Sequence, residues 1–177
     1  SDLLGEYPTD TIDVWSKMAV GGDGDSSIHV IWRGGSTGAV IDGQTGPIFY
    51  SRSQDNGVSF DKVQTIIPEL DSNSYAGFSA DEYSIDARGN TVAIVASGLA
   101  DDVVLVKSTD NGDTWTKILV DSFPFRKYSD AVQTTDADGD GTADTLWSGT
   151  GDANLVIDNN GMVHVFFTMT RVLCTQV

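Results

Sequence analysis

The sequence predicts an all-β protein assembled from repeated four-stranded antiparallel units. Three observations carry that expectation. Residues 48–63 and 103–118 repeat one another in the same order. Asn-Gly pairs stand at Asn56-Gly57, Asn111-Gly112 and Asn160-Gly161, between runs of β-branched and aromatic residues, which is the strongest short-range signal for a hairpin. No stretch of helical length carries apolar residues at a 3.6-residue period, so helix is at most a minor component.

Taken in order, the first repeat runs Ile48-Phe49-Tyr50-Ser51-Arg52-Ser53-Gln54-Asp55-Asn56-Gly57 and the second Val103-Val104-Leu105-Val106-Lys107-Ser108-Thr109-Asp110-Asn111-Gly112. At an offset of 55, Ser53/Ser108, Asp55/Asp110, Asn56/Asn111, Gly57/Gly112 and Lys62/Lys117 are identical, while Arg52/Lys107 and Phe60/Trp115 are similar. Another pattern lies outside these hairpins. Ser84–Gly89 is followed by Val92–Val95, and Val156–Gly161 by Val163–Phe167; a fainter version is Met18–Val20 followed by Ile28–Trp32. Each is a strand, a glycine turn and a strand. Runs such as 92–96 and 103–106 are apolar on both faces, as expected of strands stacked between neighbouring sheets.

One unit is therefore two strands around a glycine turn followed by a hairpin, which makes four antiparallel strands and one blade of a β-propeller. The units span roughly 15–69 and 83–121, with an incomplete one over 154–177. About four to eight blades close a ring. Two and a half imply that residues 1–177 belong with the remainder of a longer chain or pair with other copies.

The octapeptides Ser53-Gln54-Asp55-Asn56-Gly57-Val58-Ser59-Phe60 and Ser108-Thr109-Asp110-Asn111-Gly112-Asp113-Thr114-Trp115 resemble the Asp-box of sialidases and related propellers. The resemblance implies a partial sialidase-like β-propeller, with Ser53, Asp55, Gly57, Phe60, Ser108, Asp110, Gly112 and Trp115 as structural residues away from any active face. The local chemistry supports that role. The Asp carboxylate accepts backbone N–H groups of its own turn, Gly supplies a positive φ, and the aromatic ring folds back as a plug.

Sialidases of the resembled family use an arginine triad, a Tyr–Glu nucleophile pair and an Asp acid/base, with an early Arg-Ile-Pro segment. No Arg-Ile-Pro occurs, and Arg33, Arg52, Arg88, Arg126 and Arg171 all lie in other contexts. Arg33 ends a strand before a Gly-rich loop. Arg52, aligned with Lys107, reads as a solvated strand position. The pairs Asp81-Glu82 and Asp101-Asp102 read as loop solubilisers, because adjacent strand residues point to opposite faces. His29 and His164 read as packing positions. No catalytic residue is assigned.

Composition narrows the function further. Among 177 residues, 26 are acidic and 10 basic, for a net charge of −16, a field that repels phosphate backbones and excludes nucleic-acid binding. Such acidity suits divalent cations and an extracellular or cell-surface setting. The single cysteine, Cys174, makes no internal disulfide. The most apolar run, Met162 to Met169, is too short to span a bilayer.

The sharpest chemical feature is Asp136-Ala137-Asp138-Gly139-Asp140-Gly141-Thr142-Ala143-Asp144. Carboxylates at relative positions 1, 3, 5 and 9 wrap a hard cation, Gly at 6 allows the bend and a carbonyl at 7 completes the cage. Asp136, Asp138, Asp140, Thr142 and Asp144 are thus the expected calcium ligands. Trp147 stands where an EF-hand has its bidentate Glu, so the run instead resembles the Asp-x-Asp-Gly-Asp-Gly-x-x-Asp loops of integrin-type propellers. Magnesium is disfavoured because it resists full dehydration by a protein cage. The shorter Gly22-Asp23-Gly24-Asp25 reads as a simple turn. Together these features lead to a non-catalytic, calcium-stabilised propeller module of a secreted or cell-surface protein, serving adhesion or glycan or protein binding. The alternatives are part of a sialidase-like glycoside hydrolase whose catalytic residues lie mostly outside these residues, and a structural protein that closes its sheets through other copies.

Overall fold

The computed structural model describes residues 14–35 and 39–175, and no α-helix occurs among them. Residues 176–177, at the end of the expected third unit, lie outside the described residues. The chain opens with β1 (Val14–Gly21) and β2 (Ser27–Arg33), then a short hairpin of β3 (Val40–Ile41) and β4 (Gln44–Thr45), then β5 (Ile48–Ser53) and β6 (Lys62–Ile66). Strands β1, β2, β5 and β6 form one antiparallel sheet in that order. A second antiparallel sheet is the meander β7 (Tyr83–Arg88), β8 (Thr91–Ser97), β9 (Val103–Ser108) and β10 (Thr116–Asp121). The third contains β11 (Leu146–Ile157) and β12 (Val163–Val172). The chain is thus all-β, with the four-stranded antiparallel sheets its repeats predict.

Strand alternation explains why the sheets stack. Ala19, Ile31, Ile48 and Tyr50 of the first sheet meet Ile85, Val92, Ile94, Val104 and Val106 of the second in one buried cluster. The intervening residues Ala93, Val95, Val103 and Leu105 leave the opposite face and pack on Ala153, Leu155, Ile157, Val163 and Val165 of the third. The central sheet is buried on both faces, so β8 and β9 are apolar without alternation. The first strands of the three sheets are neighbours: β1 packs on β7, and β11 on β7 and β8. That is the order of consecutive blades. The described residues form no closed ring.

Two features differ from the expectation. The third sheet begins at Leu146, upstream of Asn154, because β11 continues through a register break between Gly149 and Ala153. A Cβ on Gly149 would lie 2.5 Å from Ser97 Oγ, so this strand passes too close to the second sheet for a side chain. The β3–β4 hairpin is an insertion that caps Trp32 and Phe49 with Ile41. Its Asp42-Gly43 corner, with φ of 48° and 82°, carries the same hairpin signal as the Asn-Gly pairs.

Candidate metal centre and the paired turns

The two octapeptides adopt the same turn, each joining the third and fourth strands of its sheet. Asn56 and Asn111 have φ of 58° and 60°, and Gly57 and Gly112 have 85° and 87°. Ser53 Oγ donates to Asp55 Oδ1 at 2.8 Å and accepts from Gly57 N at 2.8 Å; Ser108 repeats both bonds at 2.7 Å with Asp110 and Gly112. Ser59 and Thr114 each donate their hydroxyl to Oδ2 of the turn Asp at 2.6 Å. The main-chain N–H of Asn56 and Asn111 reaches back to Ser26 O and Asn90 O, in the first hairpin of the same sheet. These donors stabilise the ionised carboxylates. The Thr114 hydroxyl and N–H, then Ser108, hold Asp110 well below the usual carboxylate range, and the equivalent bonds from Ser59 and Ser53 lower Asp55.

The aromatic members behave less alike. Both are half-buried, but Trp115 packs edge-on against Tyr50 of the preceding sheet, with ring centroids 5.3 Å apart. Tyr50 also approaches the second turn so closely that a Cβ on Gly112 would lie 2.1 Å from its hydroxyl. Glycine is required there twice over, by its φ and by its neighbour.

Arg52 corrects the sequence reading. Its side chain is only 3% exposed, not solvated. The guanidinium pairs with Asp61, contacts Asp113 at 2.9 Å, and donates from Nη1 to Asn111 O at 2.7 Å. The hydrogen bond from Arg52 pulls Asp61 down to about 2. Beside it, fully buried His29 accepts or donates at Nδ1 to the Tyr50 hydroxyl at 2.8 Å. Burial, aided by the Arg52 charge, lowers His29 to about 4, so the ring is neutral at physiological pH. His164 instead is exposed, 3.3 Å from Asp158. Lys107, aligned with Arg52, likewise reaches forward, donating to Gly161 O at 3.0 Å.

The acidic loop lies between β10 and β11 and is closed at its neck. Thr135 Oγ1 donates to Asp144 O at 2.6 Å, and Asp144 N donates to Thr135 O at 3.1 Å. Thr135 N also donates to Cys174 O at 3.1 Å, fixing the loop to the chain just after β12. Within the loop, Asp136 accepts Gly139 and Asp140 N–H on Oδ1 and Gly141 N–H on Oδ2. One carboxylate oxygen each of Asp136, Asp138 and Asp144 lies within 4.8 Å of the others. Asp140 is outside this group and accepts the Thr142 N–H at 2.7 Å. Three carboxylate oxygens at this separation could hold a hard metal ion. Asp23–Asp25 forms an exposed single 3-10 turn, capped by the buried Gly22.

No protein-family model matches the chain, and no curated protein matches it. Its chemistry therefore rests on its own residues.

The two acidic pairs set aside in the sequence are not independent loop ornaments. Glu82 and Asp101 flank Gly98: a Cβ there would lie 3.3 Å from Asp101 Cβ and 3.8 Å from Glu82 Oε2. Burial raises both carboxyls, Asp101 to about 6, and the nearby Asp101 charge adds to the shift at Glu82. Glu82 accepts the Ser79 N–H. Arg33 lines a cavity of about 280 Å³ with Thr45, Phe78 and Ser79, and donates to Phe78 O and Gly35 O at 2.8 and 2.9 Å. Sequence separation hid the Glu82–Asp101 relation. Its only sequence signal is that each pair stands next to a strand start, at Tyr83 and Val103.

Proposed function

We propose that this chain is a non-catalytic, calcium-stabilised β-propeller module carrying Asp-box turns, part of a longer secreted or cell-surface protein that binds a glycan or protein ligand. The convergence of Asp136, Asp138 and Asp144 in a loop tied to the third sheet supports this reading. Three clustered carboxylates repel one another, and a divalent cation relieves that repulsion while ordering the long β10–β11 connection. The turns at Asp55 and Asp110 have their acceptors committed to their own N–H and O–H groups, which suits a structural role. Isothermal titration of calcium into the chelator-treated chain tests the reading. Heat of binding with one site, abolished by Asp136→Asn with Asp144→Asn, supports it; absence of binding rejects the calcium assignment.

A second reading, a sialidase-like glycoside hydrolase, is favoured by one observation: Glu82 and Asp101 flank Gly98 with raised proton affinity, near the cavity beside Arg33. Release of product from a chromogenic sialoside, lost on Glu82→Gln, distinguishes it from the binding module. Among the described residues no helix is long and apolar enough to cross a membrane.

A further inference from the structure

We infer that the Arg126-Lys127 pair is a processing site: an endoprotease specific for basic residues cuts the folded chain once, at the Lys127–Tyr128 bond, and leaves the third sheet held to the second without a covalent link. The chain has ten basic residues, and all but these two lie within strands. A protease takes its substrate as an extended segment with free main-chain groups, so a residue held in a ladder is reached only after its sheet opens. Arg126 and Lys127 instead stand exposed in the connection 122–145 between β10 and β11. Nowhere else in the sequence do two basic residues adjoin.

Little holds this stretch in place. Among the described residues, no main-chain hydrogen bond involves residues 124–128. Lys127 has φ of 51°, and opening its turn to the extended form relieves that left-handed strain. Its Nζ donates to Ser72 O, an exposed bond that water replaces. The rings of Phe123, Phe125 and Tyr128 pack on one another, but none belongs to the buried clusters of the sheets. Local opening therefore leaves the sheet interfaces intact. The nearest rival is Arg88, exposed at the end of β7. It pairs with Thr91 across a tight hairpin, and its guanidinium donates to Ile157 O at 3.1 Å and Asn159 Oδ1 at 2.6 Å.

In the cut, water adds across the amide, leaving a carboxylate on Lys127 and an amine on Tyr128. An acidic specificity pocket in the protease receives the Lys127 ammonium. The third sheet then stays by contact alone. Ala153 and Ile157 remain packed against Ala93, Val95 and Leu105. Ala100 N donates to Ser148 Oγ and Ile157 N to Asp86 Oδ2, each at 2.7 Å. This inference rests on where the basic residues fall among the strands, and not on calcium or ligand binding.

Limited digestion of the native 177-residue chain with trypsin, followed by intact mass, tests it. The first products expected are residues 1–127 and 128–177, eluting together in native size exclusion and separating in urea. Arg126→Gln combined with Lys127→Gln slows the first cut by about tenfold or more. Because both side chains are exposed, the double variant keeps its melting point. A first cut at a basic residue within a strand overturns the proposal. So does a native chain as resistant as the double variant, or a pair of pieces that part without denaturant.

Discussion

Arg52 of the first sheet donates from Nη1 to the main-chain carbonyl of Asn111, in the hairpin turn of the second, at 2.7 Å. The bond joins the two repeated turns directly, and the same guanidinium neutralises Asp61 and Asp113, one from each sheet. The turns are thus local knots as well as points where adjacent sheets are buttoned together.

Arg52→Ala removes this junction. Its carboxylate partners are partly exposed, which screens their loss, while the buried stem leaves a void. We expect a loss of about 2 kcal/mol in urea unfolding. Arg52→Lys recovers only a fraction, since a single ammonium cannot serve Asp61, Asp113 and the Asn111 carbonyl together.

Ser53 and Ser108 occupy buried, equivalent positions and make the same bonds to within 0.1 Å. Ser53→Ala and Ser108→Ala are each expected to cost about 1–2 kcal/mol, by stranding a Gly N–H and removing one donor from the Asp carboxylate, which keeps its main-chain N–H donors. Chemical denaturation of both variants should give matching costs. A large cost at one and none at the other contradicts their equivalence.

Acid titration separates two groups of opposite sign, the buried His29 and the half-buried Asp101. Burial holds the folded-state pKa of His29 at about 4, below the ordinary imidazole value of 6.5, so its contribution is full above pH 6.5 and is lost as pH falls toward 4. Asp101 is raised from 3.8 to about 6, so its buried charge destabilises the neutral protein, and the cost fades as pH falls below 6. The two nearly offset each other in the native chain. Asp101→Asn should raise stability at pH 7 by about 2 kcal/mol and uncover a steeper loss between pH 6.5 and 4. Guanidinium unfolding at pH 7 and 4.5 measures both.

Much of this architecture was legible because it is local. Asn56-Gly57 and Asn111-Gly112 need positive φ, the flanking β-branched runs need sheets, and the 83–121 unit coincides with β7 through β10. What escaped depends on contacts between units. Arg52 reads as a solvated residue until Asn111, 59 positions later, supplies its acceptor. The start of β11 is masked by Gly149 and Gly151, whose missing side chains let the strand approach Ser97 and Glu82. Within the acidic loop, spacing identified the segment, but Asp136, Asp138 and Asp144 converge while Asp140 turns to its own backbone. Alternating aspartates do not reveal which carboxylate a tight turn will consume.

The most direct test of the account is the thermal melt of the chelator-treated chain with and without calcium. At a free calcium concentration about a hundredfold above the dissociation constant, linkage supplies about 2.7 kcal/mol. For a chain of this size that raises the midpoint by about 5–10 °C, and Asp136→Asn combined with Asp144→Asn abolishes the rise. A melt that calcium leaves unmoved, with the double variant equally silent, contradicts the assignment.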